Sequence, residues 1–366
     1  MSDGRLVVVT GGAGYLGDTL VEQLLDDPEI APREVRVFDR RPSPRRGHPR
    51  VTERIGDLRD ATAVRRAFTG ADLVVHAGAM VDWGRVSPRT LEAVNVGGTV
   101  HVVEACLAEG VPALVHTSTL DVVYSGHAVY AGDETLPYPR RFPNAYCRTK
   151  AQAEQRALAA DGRPLGRPGP TGQRRLRTTV VRPCSIFGEG DPFHIGSLVA
   201  MAERGRLFRV GDGSARSQFS YLGNVAHCHV MAARSLLRPD PRAAGQVYFA
   251  TDFEAANFFD FLAPFVEAAG YAMPPASRGL PRGPLYALGA TLEGVAAVTR
   301  PVLRWQPLIT RFAVDFVAKD FIIRSDKAAR ELGYAPRFDR EEAFARTAAW
   351  FADRAAASGS STRDAA

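Results

Sequence analysis

Leu6-Val7-Val8-Val9-Thr10-Gly11-Gly12-Ala13-Gly14-Tyr15-Leu16-Gly17 stands close to the start of the chain. Its four consecutive apolar residues predict a short strand buried on both faces. Thr19-Leu20-Val21-Glu22-Gln23-Leu24-Leu25 then reads as a helix. A glycine triad alone marks only a tight turn. Set between a strand and a helix, it lets backbone N–H groups and a helix N-terminus approach a pyrophosphate. The reading is an α/β fold that cradles a dinucleotide with Gly11, Gly14, Tyr15, Leu16 and Gly17.

A second apolar run, Glu34-Val35-Arg36-Val37-Phe38, ends at Asp39. An acid at that strand tip can accept hydrogen bonds from the adenosine ribose hydroxyls and would repel a 2′-phosphate, so NAD is expected rather than NADP. Arg40 and Arg41 pull the other way, because arginines there can hold that phosphate. Gly56-Asp57-Leu58 follows a third strand-like segment. Asp57 and Leu58 are placed to bracket the adenine, and Asp57 serves equally as an N-cap for the next helix. Ala71-Asp72-Leu73-Val74-Val75-His76 is a buried strand opening into Ala77, Gly78 and Ala79, whose small side chains let the cofactor lie close to the backbone. His76 reads as a packed histidine. Asn95-Val96-Gly97-Gly98-Thr99 opens a helix to about Glu109, with Asn95 in a structural role.

The strand Ala113-Leu114-Val115-His116 delivers Thr117-Ser118-Thr119 at its C-terminal end. Ligands of open parallel sheets bind beyond the carboxyl ends of the strands, so these hydroxyls fall beside the reacting groups, although hydroxyl residues also simply end strands. Tyr146-Cys147-Arg148-Thr149-Lys150 comes later, with Asn144 as its N-cap. Residues four apart share a helix face, so the Tyr146 phenol and Lys150 ammonium point the same way. The expectation is that the ammonium lowers the phenol's pKa and makes the pair a proton acceptor. Lys150, Lys319 and Lys327 are the only lysines among 46 basic residues, so lysine at 150 marks a site where guanidinium would not serve.

The apolar fraction of 45% and charged fraction of 23% are those of a globular protein. Cys106, Cys147, Cys184 and Cys228 are scattered, without a Cys-x-x-Cys pair, and the residues before Leu6 are not expected to form a leader. The expectation is a reduced cytoplasmic protein without a metal site. The net charge of +6 is concentrated in two arginine-rich stretches, 33–54 and 161–177. Neither is interleaved with aromatics, so no nucleic-acid partner is expected. The Gly/Pro-rich 161–177 insertion reads as a solvent loop.

Taken together, these stretches resemble the extended short-chain dehydrogenase/reductases, and within them the 3β-hydroxysteroid dehydrogenases, including sterol-4α-carboxylate 3-dehydrogenases. Thr10 to Gly17, Asn95 to Thr99, Asp133-Glu134-Thr135-Leu136-Pro137-Tyr138, Tyr146 to Lys150, Arg182-Pro183-Cys184-Ser185-Ile186-Phe187-Gly188 and Glu331-Leu332-Gly333-Tyr334 carry the resemblance. It implies a Rossmann-type doubly wound parallel sheet with a smaller, interwoven C-terminal substrate-binding portion. Tyr146 would be the acid/base and Lys150 its partner, also bonding the nicotinamide ribose. Thr119 would be the catalytic hydroxyl where the family usually has serine, with Ser118 offering the same groups next door. Thr117 and Pro183 would flank the nicotinamide. The implied reaction is NAD-dependent oxidation of a 3β-hydroxysteroid or sterol to the 3-ketone, in a protein expected to form a homodimer.

The domain reading assigns 1–185 and a returning 218–251 to NAD binding, 186–217 and 252–354 to substrate, and 355–366 to a disordered tail. Ser217 to Ala226 reads as a strand leading into a helix through Leu237, where His227 and His229 face different ways and cannot share a metal. Leu285 to Trp305 is apolar but interrupted, too short of the ~18 uninterrupted apolar residues of a spanning helix. Its place resembles the segment by which eukaryotic sterol-active relatives associate with membranes, so peripheral membrane contact through 285–305 is expected. Two other readings compete: a nucleotide-sugar epimerase or dehydratase on the same scaffold, and a non-catalytic NAD(P)-sensing protein. The latter is disfavoured because such relatives typically lose the tyrosine or the lysine, and Tyr146 and Lys150 are both present.

Overall fold

Val7 and Val9 pack into one hydrophobic core, Leu6 and Val8 into another, because successive strand residues point to opposite faces. A strand apolar on both faces must be covered on both, and the chain does this with helices on either side of a parallel sheet. A computed structural model describes residues 4–82, 86–166, 174–299, 305, 307 and 309–363. In chain order, β1 (Arg5–Thr10), α1 (Tyr15–Leu25), β2 (Pro32–Asp39), β3 (Val51–Ile55), α2 (Ala61–Phe68) and β4 (Leu73–His76) build the first half of the sheet. Next come α3 (Pro88–Leu91), α4 (Gly98–Glu109), β5 (Ala113–Thr117), β6 (Val129–Gly132), α5 (Ala145–Leu158), β7 (Arg177–Pro183) and β8 (Ser185–Phe187). The remainder is α6 (Ile195–Glu203), β9 (Phe219–Tyr221), α7 (Leu222–Leu237), β10 (Gln246–Ala250), α8 (Phe258–Ala268), α9 (Arg282–Thr299), α10 (Arg311–Ala318), β11 (Phe321–Ile323), α11 (Asp326–Leu332) and α12 (Arg340–Arg363).

Seven strands form one sheet in the order β10-β7-β5-β4-β1-β2-β3, every pairing parallel. The fold is thus α/β with a Rossmann-type sheet, and its strand order reverses at β1, opening a crevice between the ends of β1 and β4. Helices α1 and α7 share the core of one face, while α2 and α4 share that of the other. Two short sheets, β8 with β9 and β11 with β6, stitch the C-terminal portion to the main body. That portion has its own aromatic core: Phe187, fully buried, meets Phe253, Phe261, Phe265, Tyr221 and Phe344.

Three local expectations change. The helix expected to open at Asn95 begins at Pro88, capped by Ser87, and reaches α4 through a π-helical segment, Glu92–Gly97. Proline at a first helical position is pre-set for helix, which moves the start back. The expected disordered tail from 355 is helical as far as Arg363, since the alanines at 355–357 extend α12. The described ends of the 161–177 insertion are not a free loop: Pro164 bridges Arg175, and Leu165 is buried in the core beside α4. Residues 167–173 of that insertion lie outside the described residues. In the 285–305 stretch, α9 buries only Leu285 and Gly289 and exposes Leu288, Val295 and Val298. Residues 300–304 lie outside the described ones. No described helix is long and apolar enough to cross a membrane.

Candidate active site

The carboxyl ends of β1, β2, β4, β5 and β7 surround a cleft of about 700 Å³. Gly11, Gly14, Tyr15, Leu16, Gly17, Asp39, Arg40, Asp57, Leu58, Ala77, Gly78, Ala79, Thr117, Thr119, Tyr146, Lys150 and Pro183 all line it. Every residue assigned from the sequence to the cofactor or to catalysis therefore reaches one cavity, from seven separate stretches of chain.

At one end the backbone itself forms the wall. Gly11 has φ +70°, a left-handed conformation that favours glycine, and a Cβ there would lie 2.6 Å from Gly78 Cα. A Cβ on Gly17 would strike the Gly11 carbonyl. The turn is packed against the end of β4 with no room for side chains. Gly14 caps α1 without a side-chain hydrogen bond, leaving first-turn N–H groups at the cleft, where an anion would complement them.

Asp39 accepts from Ala13 N at 3.1 Å and from Arg41 N at 3.0 Å, so the acid at the tip of β2 also holds the glycine turn. Arg41 reaches back to the Ala13 carbonyl at 3.1 Å. Asp57 is not the cap of α2; Asp60 is, accepting from Thr62 N and Ala63 N. Hydrogen bonding from Arg59, aided by Arg40, holds the Asp57 carboxyl down to about 2. Leu58 packs against Gly78 and Gly98, helping to wall the cleft.

Tyr146 and Lys150 lie on the buried face of α5, 6% and 3% exposed, and the Asn144 side chain caps that helix through Cys147 N at 2.8 Å. Lys150 Nζ donates to the Thr117 carbonyl at 2.7 Å. The Thr117 hydroxyl pairs with His229 Nε2 at 2.9 Å, so Thr117 offers its carbonyl rather than its hydroxyl. The expected lowering of the Tyr146 pKa is not found. Burial, with the negative charge of Asp121, pushes the phenol well up, opposed only by its hydrogen bond with Thr119. Burial in turn lowers Lys150 to about 8.

Geometry separates the two neighbouring hydroxyls. Ser118 donates to Glu154, which is fully buried and also receives Tyr138 Oη at 2.6 Å and the Arg182 fork, Nε at 3.1 Å and Nη2 at 2.5 Å. Thr119 instead hydrogen-bonds Asp121, and its hydroxyl lies near enough to Tyr146 to favour the phenolate. Glu154, Arg182 and Asp121 were missed in the sequence, though Glu154 stands one helical turn after Lys150 and Asp121 two residues after Thr119.

His76 is a packed histidine, bonded through Nδ1 to Thr10 at 2.6 Å and through Nε2 to Thr99 at 3.0 Å. Asn95 is structural too, its side chain joining Met80 N at 2.8 Å and Thr149 at 3.3 Å. Met80, Val94, Leu120, Pro192, Phe193 and Phe316 add apolar surface to the same lining.

Residues 8–281 match the 3-beta hydroxysteroid dehydrogenase/isomerase family. The chain is 36% identical to 3 beta-hydroxysteroid dehydrogenase type 7 of Mus musculus, over 94% of each chain. It is 35% identical to 3beta-hydroxysteroid-dehydrogenase/decarboxylase isoform 1 of Arabidopsis thaliana, over 94% of this chain and 79% of that one. Among solved structures, the dTDP-glucose 4,6-dehydratase DesIV of Streptomyces venezuelae, with NAD and TYD bound, has the same fold. Its TM-score is 0.71 at 22% identity, over 95% of this chain and 97% of that one.

The buried ammonium has a measurable consequence. With its folded pKa at about 8 against an ordinary 10.5, Lys150 loses its proton in the folded chain before the unfolded chain does. The unfolded state then binds more protons across that window, so stability rises with pH there. Lys150→Met removes the titration. Urea unfolding at about pH 7.5 and 9.5 should show wild type gaining ~1–2 kcal/mol on the variant; equal slopes would exclude a buried, titrating Lys150.

Proposed function

The chain belongs to the 3-beta hydroxysteroid dehydrogenase/isomerase family, a branch of the extended short-chain dehydrogenase/reductases, and from that premise we propose that it oxidises the 3β-hydroxyl of a steroid or sterol to the ketone with NAD⁺. The observation that carries the reading is the meeting of Thr119, Tyr146 and Lys150 in one cleft with a glycine cradle that admits no side chains at Gly11 and Gly17 and with apolar lining residues. The cradle fits a dinucleotide: Gly11 and Gly17 stand where any Cβ would collide, and the first turn of α1 supplies uncapped N–H groups for phosphate. Bound there, NAD⁺ would take the hydride from the carbinol carbon.

The chain's own residues handle the oxygen. Thr119 and Tyr146 hold it, and Tyr146 Oη takes its proton. Lys150, one helical turn along the same buried face, supplies the positive charge for a phenolate. Its ammonium is held by the Thr117 carbonyl. Burial raises the Tyr146 phenol, which suits it to donate in the carbonyl-reducing direction; to act as acceptor in the oxidation it must first lose its own proton, which the positive charges of Lys150 and of a bound oxidised nicotinamide would favour. The apolar lining residues would exclude water and take an apolar ring system.

Asp39 supports NAD over NADP. Its carboxylate retains acceptor capacity after bonding Ala13 and Arg41, and its charge opposes a 2′-phosphate. The exposed apolar residues of α9, Leu288, Val295 and Val298, lie along one side of that helix and support peripheral contact with a lipid surface, from which a sterol would enter.

Purified protein mixed with NAD⁺ and a panel of epimeric 3-hydroxysteroids should form NADH with 3β but not 3α alcohols. NAD binding with no turnover of any sterol would shift the reading to a nucleotide-sugar substrate. Asp39→Ala should reduce the preference for NAD over NADP by roughly tenfold, the worth of one charge-assisted hydrogen bond; an unchanged ratio would remove Asp39 from cofactor choice. In a flotation assay the protein should rise with liposomes, and Leu288→Asp with Val295→Asp should leave it behind. Protein that ignores liposomes would end the membrane proposal.

A further inference from the structure

Asp121 lies two residues past Thr119, in the 3-10 turn Leu120–Val123, and lines the cleft. Its Oδ2 accepts the Thr119 hydroxyl at 3.0 Å, and its own N–H donates to Thr119 Oγ1 at 3.3 Å. Its other oxygen, Oδ1, is buried with no hydrogen-bond partner. Tyr146 lies close enough to the Thr119 hydroxyl for its phenol to be influenced by it. Among the described residues, the titratable groups facing Asp121 are Tyr146 and Cys147 of α5, Tyr124 of its own segment and Cys184 beyond β7, and none of these is a cation.

A hydroxyl has one proton to give and two lone pairs to offer. With Asp121 ionised, the Thr119 proton is committed to Oδ2 and one lone pair to the Asp121 N–H. What Thr119 then presents to the reacting oxygen is an acceptor alone. With Asp121 protonated, the carboxylic acid donates to Thr119, and the Thr119 proton swings free toward the cleft. We propose that Asp121 is a positioning residue that sets the direction of the Thr119 hydroxyl, making it an acceptor when Asp121 is ionised and a donor to the substrate oxygen when Asp121 is protonated. This rests on the reading of Thr119 and Tyr146 as the groups that hold that oxygen.

A carbonyl oxygen only accepts hydrogen bonds, so the donor form holds the ketone and the acceptor form lets it go. Burial pushes the Asp121 carboxyl up to about 6, opposed by the Thr119 hydrogen bond, which places the change within reach of ordinary assay conditions. Ketone is held below that pH and released above it, which favours net oxidation of the alcohol at higher pH.

Two measurements test this. In protein labelled with carbon-13 at the aspartate carboxyl, Asp121 and Asp252 should both titrate near pH 6; the Asp121 resonance is the one that vanishes in Asp121→Asn, and it should titrate higher in Thr119→Val, where the bond favouring the ionised form is gone. In ketone reduction with NADH, the wild-type KM for ketone should rise roughly 5- to 10-fold on passing from about pH 5 to 8, the worth of one hydrogen bond. Asp121→Asn, whose amide donates to Thr119 at every pH, should keep it low and flat. A merely structural role would lower kcat or stability without flattening that profile. An Asp121 resonance indifferent to Thr119→Val, or an unaltered KM profile in Asp121→Asn, would overturn the proposal. Should Asp121→Asn fail to fold, the comparison of wild type with Thr119→Val decides. If the titration behaves as described but no steroid turns over, the substrate reading fails and the coupling of Asp121 to Thr119 stands.

Discussion

A single buried carboxylate, Glu154, holds the reactive end of the molecule together. It receives hydrogen bonds from Ser118 after β5, from Tyr138 in the loop before α5, and from Arg182 at the end of β7, while sitting on α5 itself. Four segments remote in sequence are pinned to one point with no solvent at Glu154 and almost none at Arg182. Removing one partner of such a pair strands a charge in a medium that cannot solvate it, which costs about 3–5 kcal/mol. The face of α5 that meets Arg182 is continuous with the face that carries Lys150 and Tyr146. Fixing Glu154 therefore fixes the helix rotation that aims both toward the cleft.

The same anchoring explains which hydroxyl is left for chemistry. Ser118 and Thr119 are adjacent and chemically alike, but consecutive residues of an extended chain point in opposite directions. Ser118 turns inward to Glu154, and Thr119 turns toward Tyr146. Burial is the largest influence on three reactive groups, raising Tyr146 and Asp121 and lowering Lys150. The site is thus poised by desolvation more than by pairing of opposite charges, the reverse of what a tyrosine and a lysine on one helix face imply when only those two are considered.

Much of the cradle was legible because its constraints are local. Strand, glycine triad and helix follow one another within Leu6 to Leu25, and the spacing of Tyr146 and Lys150 is a property of one helix. Asp39 could be placed because it ends an apolar run. The helix start before Asn95 and the helical tail beyond Ala355 were misjudged where a proline and an alanine run set local conformation more strongly than motif position did.

The order of residues along the chain was enough to specify an α/β fold with a dinucleotide cradle and a Tyr/Lys pair on one helix face, since short-range periodicity and backbone sterics carry that information, while the doubly wound sheet came with the resemblance of its motifs. The partners of Glu154, the choice of Thr119 over Ser118, and the companion role of Asp121 arose only when β5, α5 and β7 were packed together. Hydrogen-bond direction and desolvation belong to neighbours in space, and no pattern along the chain encodes which distant residue will be that neighbour.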